Sequence, residues 1–119
     1  MRLRCVIVDD DDDFLIVARA VLEGEDITVA GVAGNGAEAV ARARDLRPDV
    51  VLIDIRLKAE SGFDVARELA ADGLKPALIM ISTHPYVDFA DMIADSPAVG
   101  FLPKAELSAA AVRQLLKVG

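Results

Sequence analysis

The stretch PDVVLIDIRL, residues 48–57, decides the reading of the fold: Val50 to Ile53 form an unbroken apolar run, and one acidic residue, Asp54, closes it. A strand that alternates apolar and polar residues has one wet face. A strand that is apolar at every position is covered on both faces, which is the habit of a parallel sheet flanked by helices. Two more runs share this character, Cys5 to Val8 before it and Ala77 to Ile81 after it, so these three are read as the central strands. Ile27 to Val32 alternates and is less apolar, and Val99 to Leu102 is short; both are assigned to the sheet edges.

Between the strands the spacing turns helical. Phe14, Leu15, Ala18, Val21 and Leu22 make one apolar stripe, and Tyr86, Phe89, Ala90 and Ile93 make another. Asn35 stands three residues before Glu38, and Ser61 three before Asp64, which is capping-box spacing. Gly24 and Gly73 stand where helices should stop, and Ser108 is placed to cap a last helix running to Lys117, with Leu107 stapled to Val112. Five strand-helix units in succession predict an α/β, doubly wound, five-stranded parallel sheet, because right-handed crossovers put helices on both faces.

Composition bounds the rest. A chain of 119 residues holds one compact domain with a core and is too short for a second domain of ordinary size, so residues 1–119 are read as one unit. With 54% apolar but 4% aromatic residues, that core is built from Val, Leu, Ile and Ala. A net charge of −7 and the lack of a basic run argue against direct nucleic-acid binding and against anionic membrane surfaces. Cys5 is the sole cysteine, which excludes an internal disulfide and a cysteine metal site and fits a reducing compartment. Arg2 and Arg4 precede no long apolar segment with a cleavage site, and no later stretch reaches membrane-spanning length, so a soluble cytoplasmic protein is expected.

Polar residues fall at one end of the strands: Asp9 and Asp10 after the first, Asp54 after the third, Ser82 after the fourth, and Lys104 just beyond the fifth. In an open α/β sheet these carboxyl ends converge on one crevice. Three carboxylates brought together repel one another unless a cation or a proton balances them. Mg2+ suits an all-oxygen site that leaves room for phosphate oxygens, and Lys104 offers a compact positive charge for a phosphoryl group. Asp11, Asp12 and Asp13 are read as a solvated helix start favoured by the macrodipole, His84 as a solvated loop residue, and Cys5 and the methionines as packing.

The segments VIVDDDDDF (6–14), PDVVLIDIRL (48–57), IMISTH (79–84) and GFLPK (100–104) resemble, in order and spacing, the receiver domains of bacterial two-component response regulators. The similarity runs over essentially the whole chain. It implies a flavodoxin-like sheet of order 2-1-3-4-5. It implies Asp54 as phosphoacceptor, Asp9 and Asp10 as the acidic pair holding Mg2+ together with Asp54, and the backbone carbonyl of Arg56 as a further ligand. It also implies Ser82 as the hydroxyl and Lys104 as the cation that meet the phosphoryl group, Phe101 as the switch aromatic and Gly62 as a turn glycine. The phosphoryl donor implied is a sensor histidine kinase or a phosphotransfer protein, and the face to be switched is that of the fourth helix, fifth strand and fifth helix. The resemblance also admits a phosphorylation-dependent homodimer.

The chain departs from the family pattern at three places, and two further positions bear on phosphoryl lifetime. Lys58 replaces a common proline in the loop after the acceptor; Pro103 precedes Lys104 and Ala105 follows it, where many members place proline after the lysine; Thr83 stands where a smaller residue is usual; and Arg56 and His84 occupy positions that tune dephosphorylation.

Three other readings compete. An aspartyl-nucleophile phosphatase needs a second aspartate two positions after the nucleophile, where this chain has Arg56. A flavodoxin-like cofactor binder needs a Ser/Thr/Gly-rich phosphate loop after the first strand, where this chain has aspartates that repel an anion. A phosphate-independent receiver-like binding module is encouraged by Lys58 and Thr83 and opposed by the complete set Asp9, Asp10, Asp54, Ser82 and Lys104. The expectation is a signalling domain without turnover of a diffusible substrate, with its output unassigned. A stand-alone receiver is favoured over the first domain of a longer regulator, although GFLPKAELS (100–108) resembles receivers joined to helix-turn-helix modules.

Overall fold

A computed structural model describes residues 2–118. Strands and helices alternate in the order β1 Leu3–Val8, α1 Asp12–Glu23, β2 Ile27–Ala33, α2 Gly36–Leu46, β3 Val50–Asp54, α3 Gly62–Ala71, β4 Ala77–Ser82, α4 Ala90–Ala94, β5 Gly100–Pro103 and α5 Ala109–Val118. All strand pairs are parallel, and the sheet order is β2-β1-β3-β4-β5, as the resemblance implied. The three unbroken apolar runs are the central strands, and the two weaker ones form the edges.

Successive strand residues point to opposite faces, so each central strand feeds two cores at once. Val6, Val8, Val51, Ile53, Leu78 and Met80 pack against α2, α3 and α4 through Ala39, Ala43, Phe63, Leu69, Phe89 and Ile93. Cys5, Ile7, Val50, Leu52, Ile79 and Ile81 pack against α1 and α5 through Ala18, Leu22, Ala109 and Val112. Leu107 packs against this second core, of which Val112 is a member.

Helix starts follow the predicted caps. Asn35 accepts from the Glu38 N–H (2.9 Å), Ser61 from the Phe63 N–H (3.1 Å) and Ser108 from the Ala111 N–H (3.0 Å). Asp11 caps α1, leaving Asp12 and Asp13 exposed in the first turn, where their charge opposes the positive end of the helix dipole. Gly73 has φ 82° just past the end of α3, a conformation glycine adopts at little cost, while Gly24 ends α1 in the ordinary right-handed region.

Two expectations need correction. The strands extend further than the apolar runs: Asp54 and Ser82 are the last residues of β3 and β4, paired in register with Ile81 and Pro103, because the backbone ladder continues after apolar side chains end. The stripe Tyr86, Phe89, Ala90 and Ile93 is not one helix. A 3-10 turn, Tyr86–Asp88, is separated from α4 by Phe89 at φ −126°, ψ 4°. The break drives the Phe89 ring into the core, 7% exposed, and leaves Tyr86 outside at 52%. Among the described residues no helix is long and apolar enough to cross a membrane.

Candidate functional site

The carboxyl ends of β1 and β3 lie side by side, because Val8 pairs with Ile53, and this adjacency brings three acids together. One carboxylate oxygen each from Asp9, Asp10 and Asp54 fall within 4.8 Å of one another. Asp9 is fully buried and Asp54 7% exposed, while Asp10 is half-buried at the rim. Each carboxylate is held by backbone: Asp9 accepts from the Asp11 N–H (2.9 Å), Asp54 from the Arg56 N–H (3.2 Å), and Asp10 from the Lys58 N–H across the crevice.

Lys104 enters from the end of β5. Its Nζ lies 2.7 Å from Asp9 Oδ2 and 3.2 Å from Asp54 Oδ2, and 4.5 Å from the centre of the Phe14 ring at the start of α1. One ammonium thus meets two of the three carboxylates. The Asp9 contact is close enough for an ion pair but off the direction of a hydrogen bond, so Asp9 Oδ2 is a buried oxygen without a hydrogen-bond partner. Lys104 answers that oxygen with one positive charge, which leaves the three-carboxylate cluster with an excess of negative charge that a further cation would balance. Hard oxygen donors and the excess negative charge fit Mg2+ better than a softer metal.

The electrostatics agree. Burial, and then the neighbouring Asp9, push the Asp54 carboxyl above its ordinary range, against the pull of the Arg56 N–H and Lys104. Burial works against the charge of Lys104, yet Asp9 and Asp54 together hold its affinity for the proton above normal. Three carboxylates whose oxygens could hold a hard metal, and one counter-cation, therefore stand in one crevice.

The other expected residues lie on β4, β5 and the loops that follow β3 and β4. Ser82 is 2% exposed at the end of β4, and its hydroxyl oxygen accepts from the His84 N–H (3.0 Å). Thr83 and His84 are exposed, as expected for loop residues, but His84 is not without neighbours: Nδ1 lies 3.4 Å from the Thr83 hydroxyl, and its ring meets Phe89 edge-on at 6.3 Å. Phe101 is half-buried, 5.9 Å from Tyr86 and 6.4 Å from Phe89 between ring centres. The Arg56 guanidinium sits 5.9 Å from the centre of the Phe89 ring. Lys104 begins a 3-10 turn, Lys104–Glu106, and no cis peptide bond occurs among the described residues.

Gly62 serves by close approach. It is the first residue of α3, its N–H bonds the Ile55 carbonyl (2.8 Å), and a Cβ there would lie 2.0 Å from the carbonyl oxygen of Asp54. Three contributors escaped the sequence reading: Phe14 beside Lys104, the Lys58 N–H on Asp10, and Glu60, whose carboxylate reaches the Gly36 N–H (2.8 Å). Phe14 was visible as a helix-stripe residue next to the acidic run; a backbone donor and a contact across two loops leave no pattern.

The sequence profile of the response regulator receiver domain matches residues 5–117. The chain is 40% identical over 88 residues, 74% of its length, to the DNA-binding response regulator MtrA of Mycolicibacterium smegmatis. It is 34% identical over 106 residues, 87% of its length, to a protein-glutamate methylesterase/protein-glutamine glutaminase of Vibrio parahaemolyticus. It spans 38% of the first of these proteins and 29% of the second. Among solved structures, the signal receiver domain of NarL from Mycobacterium tuberculosis superposes with a TM-score of 0.84 at 27% identity, over 98% of this chain and 95% of that one. The signal receiver domain of a modulated diguanylate cyclase from Desulfovibrio desulfuricans gives 0.82 at 32% identity, over 99% and 93%. With the fold, the acidic crevice and the sequence profile in agreement, the chain belongs to the response regulator receiver domains of two-component systems.

Proposed function

We propose that residues 1–119 form a receiver that takes a phosphoryl group onto Asp54 from a sensor histidine kinase or phosphotransfer protein, with Mg2+ held by Asp9, Asp10, Asp54 and the backbone carbonyl of Arg56. The observation that carries this reading is the meeting of three carboxylate oxygens within 4.8 Å, with Lys104 against two of the acids. Bound there, the metal would neutralise charge on the phosphoryl oxygens and lessen the repulsion between them and the carboxylates.

The chain's own residues supply the rest. A carboxylate oxygen of Asp54 attacks phosphorus as the P–N bond to the donor imidazole breaks, leaving an acyl phosphate. Lys104, held between Asp9 and Asp54, moves its charge to a phosphoryl oxygen. Ser82, whose oxygen accepts from the His84 N–H, keeps its hydroxyl proton for another. Drawing Ser82 and Lys104 toward the new dianion changes the ends of β4 and β5, against which Phe101, Tyr86 and Phe89 pack, so the α4-β5-α5 face is the surface that responds. The domain works in the cytoplasm as a switch without a diffusible substrate. Its relatives carry different output activities, so the output is assigned to a partner or domain outside this fold.

Intact mass after incubation with a small-molecule phosphodonor and Mg2+ tests this. One labile phosphoryl adduct, lost in Asp54→Asn and in chelator, is expected. If no adduct forms and Mg2+ leaves the melting temperature unchanged, the phosphate-independent binding module is the better account.

A further inference from the structure

We propose that Glu60 is a positioning residue for transfer to Asp54: by binding the N-terminus of α2 it holds the loop that carries Arg56 and Lys58 over the acidic crevice. The role, though not the contact, rests on the receiver reading above. Residues 55–61 join the acceptor to α3. Their base is fixed by the Ile55 N–H on the Ile81 carbonyl (3.0 Å), by the Gly62 N–H on the Ile55 carbonyl (2.8 Å) and by the buried side chains of Ile55 and Leu57. Their tip, with Arg56, Lys58 and Ala59, is exposed.

Within the loop, Arg56 is held by its N–H on Asp54 (3.2 Å) and by an antiparallel bridge to Ser61. Two further carboxylates tie the tip to other elements, Asp10 accepting from the Lys58 N–H and Glu60 reaching the Gly36 N–H at 2.8 Å. Gly36 is buried and opens α2, an 11-residue helix whose first N–H groups have no partner within the helix. Asn35 serves the Glu38 N–H, and Glu60 serves that of Gly36, where its charge also opposes the helix dipole. The space is made for it. A Cβ on Gly36 would lie 2.6 Å from Glu60 Oε1 and 3.1 Å from Val65 Cγ2.

The two ties differ in one respect. Asp10 is also a proposed metal ligand, and an oxygen bound to a divalent cation is a weaker acceptor for the Lys58 N–H. Glu60 is not one of the clustered acids, and its carboxylate is engaged with the Gly36 N–H. Its tie therefore persists when the crevice is loaded, and it keeps the Arg56 backbone in place for both metal and phosphoryl group.

The test compares the full chain with Glu60→Ala and Glu60→Gln by calorimetric Mg2+ titration, by the rate of adduct formation from a small-molecule acyl phosphate at subsaturating Mg2+, and by exchange of the Gly36 amide. Glu60→Ala should weaken Mg2+ about fivefold, less than the roughly tenfold or more that follows loss of a group bonded directly to a metal ligand. It should also slow adduct formation by a similar factor and speed Gly36 exchange, more so with Mg2+ than without. Glu60→Gln still offers an oxygen acceptor and should stay within about twofold of wild type. A Glu60→Ala protein that melts lower yet binds Mg2+ and accepts phosphoryl groups as wild type does would overturn the proposal. So would Glu60→Gln as impaired as Glu60→Ala. If the wild-type chain binds Mg2+ but takes no phosphoryl group, the receiver reading fails while Mg2+ affinity still decides the role of Glu60; if it binds no Mg2+, both fail.

Discussion

A Cβ on Gly62 would stand 2.0 Å from the Asp54 oxygen and 2.9 Å from its carbonyl carbon, both backbone atoms that cannot rotate away. Gly62→Ala should therefore shift the end of β3 or the start of α3 and cost about 2–3 kcal/mol in chemical denaturation, with phosphoryl acceptance impaired as well. Asp54 argues the other way. Its folded-state carboxyl holds its proton above the ordinary range, so the folded state binds that proton more tightly than the unfolded chain. Stability then falls as pH rises from the unfolded value through the folded one, and at neutral pH the charge is a cost. In chelator, Asp54→Asn should raise stability by about 1 kcal/mol, seen as a higher melting temperature. Cys5, its thiol pushed up to about 12 by burial, should resist alkylation at neutral pH until the domain unfolds. Modification at the rate of a free thiol in the native protein would contradict the packing of β1. Asp9, Asp10, Asp54 and Lys104 were legible in the sequence because strand ends in a parallel sheet converge; Phe14 and Glu60 were not, because their contacts depend on how side chains from separate elements meet.

The strands and most helices follow from local rules: unbroken apolar runs for β1, β3 and β4, and polar caps at Asn35, Ser61 and Ser108. The segment before β5 does not. Its apolar spacing suits a helix, but burying Phe89 against Phe101 breaks it into a 3-10 turn and the short α4. That choice is made by tertiary packing, which overrides a local pattern. With Phe89 and Ile93 as its buried anchors, this segment should be among the first to open. Amides of residues 86–94 should exchange far faster than those of β3, and exchange of both at one common rate would contradict the expectation.

Across the whole molecule, the sheet places every acid of the crevice at the carboxyl ends of its central strands, in a chain that already carries −7, so the site is a local excess within a general one. A hard cation should bind the folded chain and not the unfolded one. Mg2+ at a hundred times its Kd should add about 2.7 kcal/mol of stability, abolished by Asp10→Ala. The central claim is that the phosphoryl group resides on Asp54. The direct measurement is borohydride reduction of the phosphorylated chain, followed by peptide mass mapping, since reduction marks an acyl phosphate as homoserine at its own position. The account predicts homoserine at position 54, dependent on Mg2+; homoserine at position 9 or 10, or at no position while the adduct persists, would contradict it.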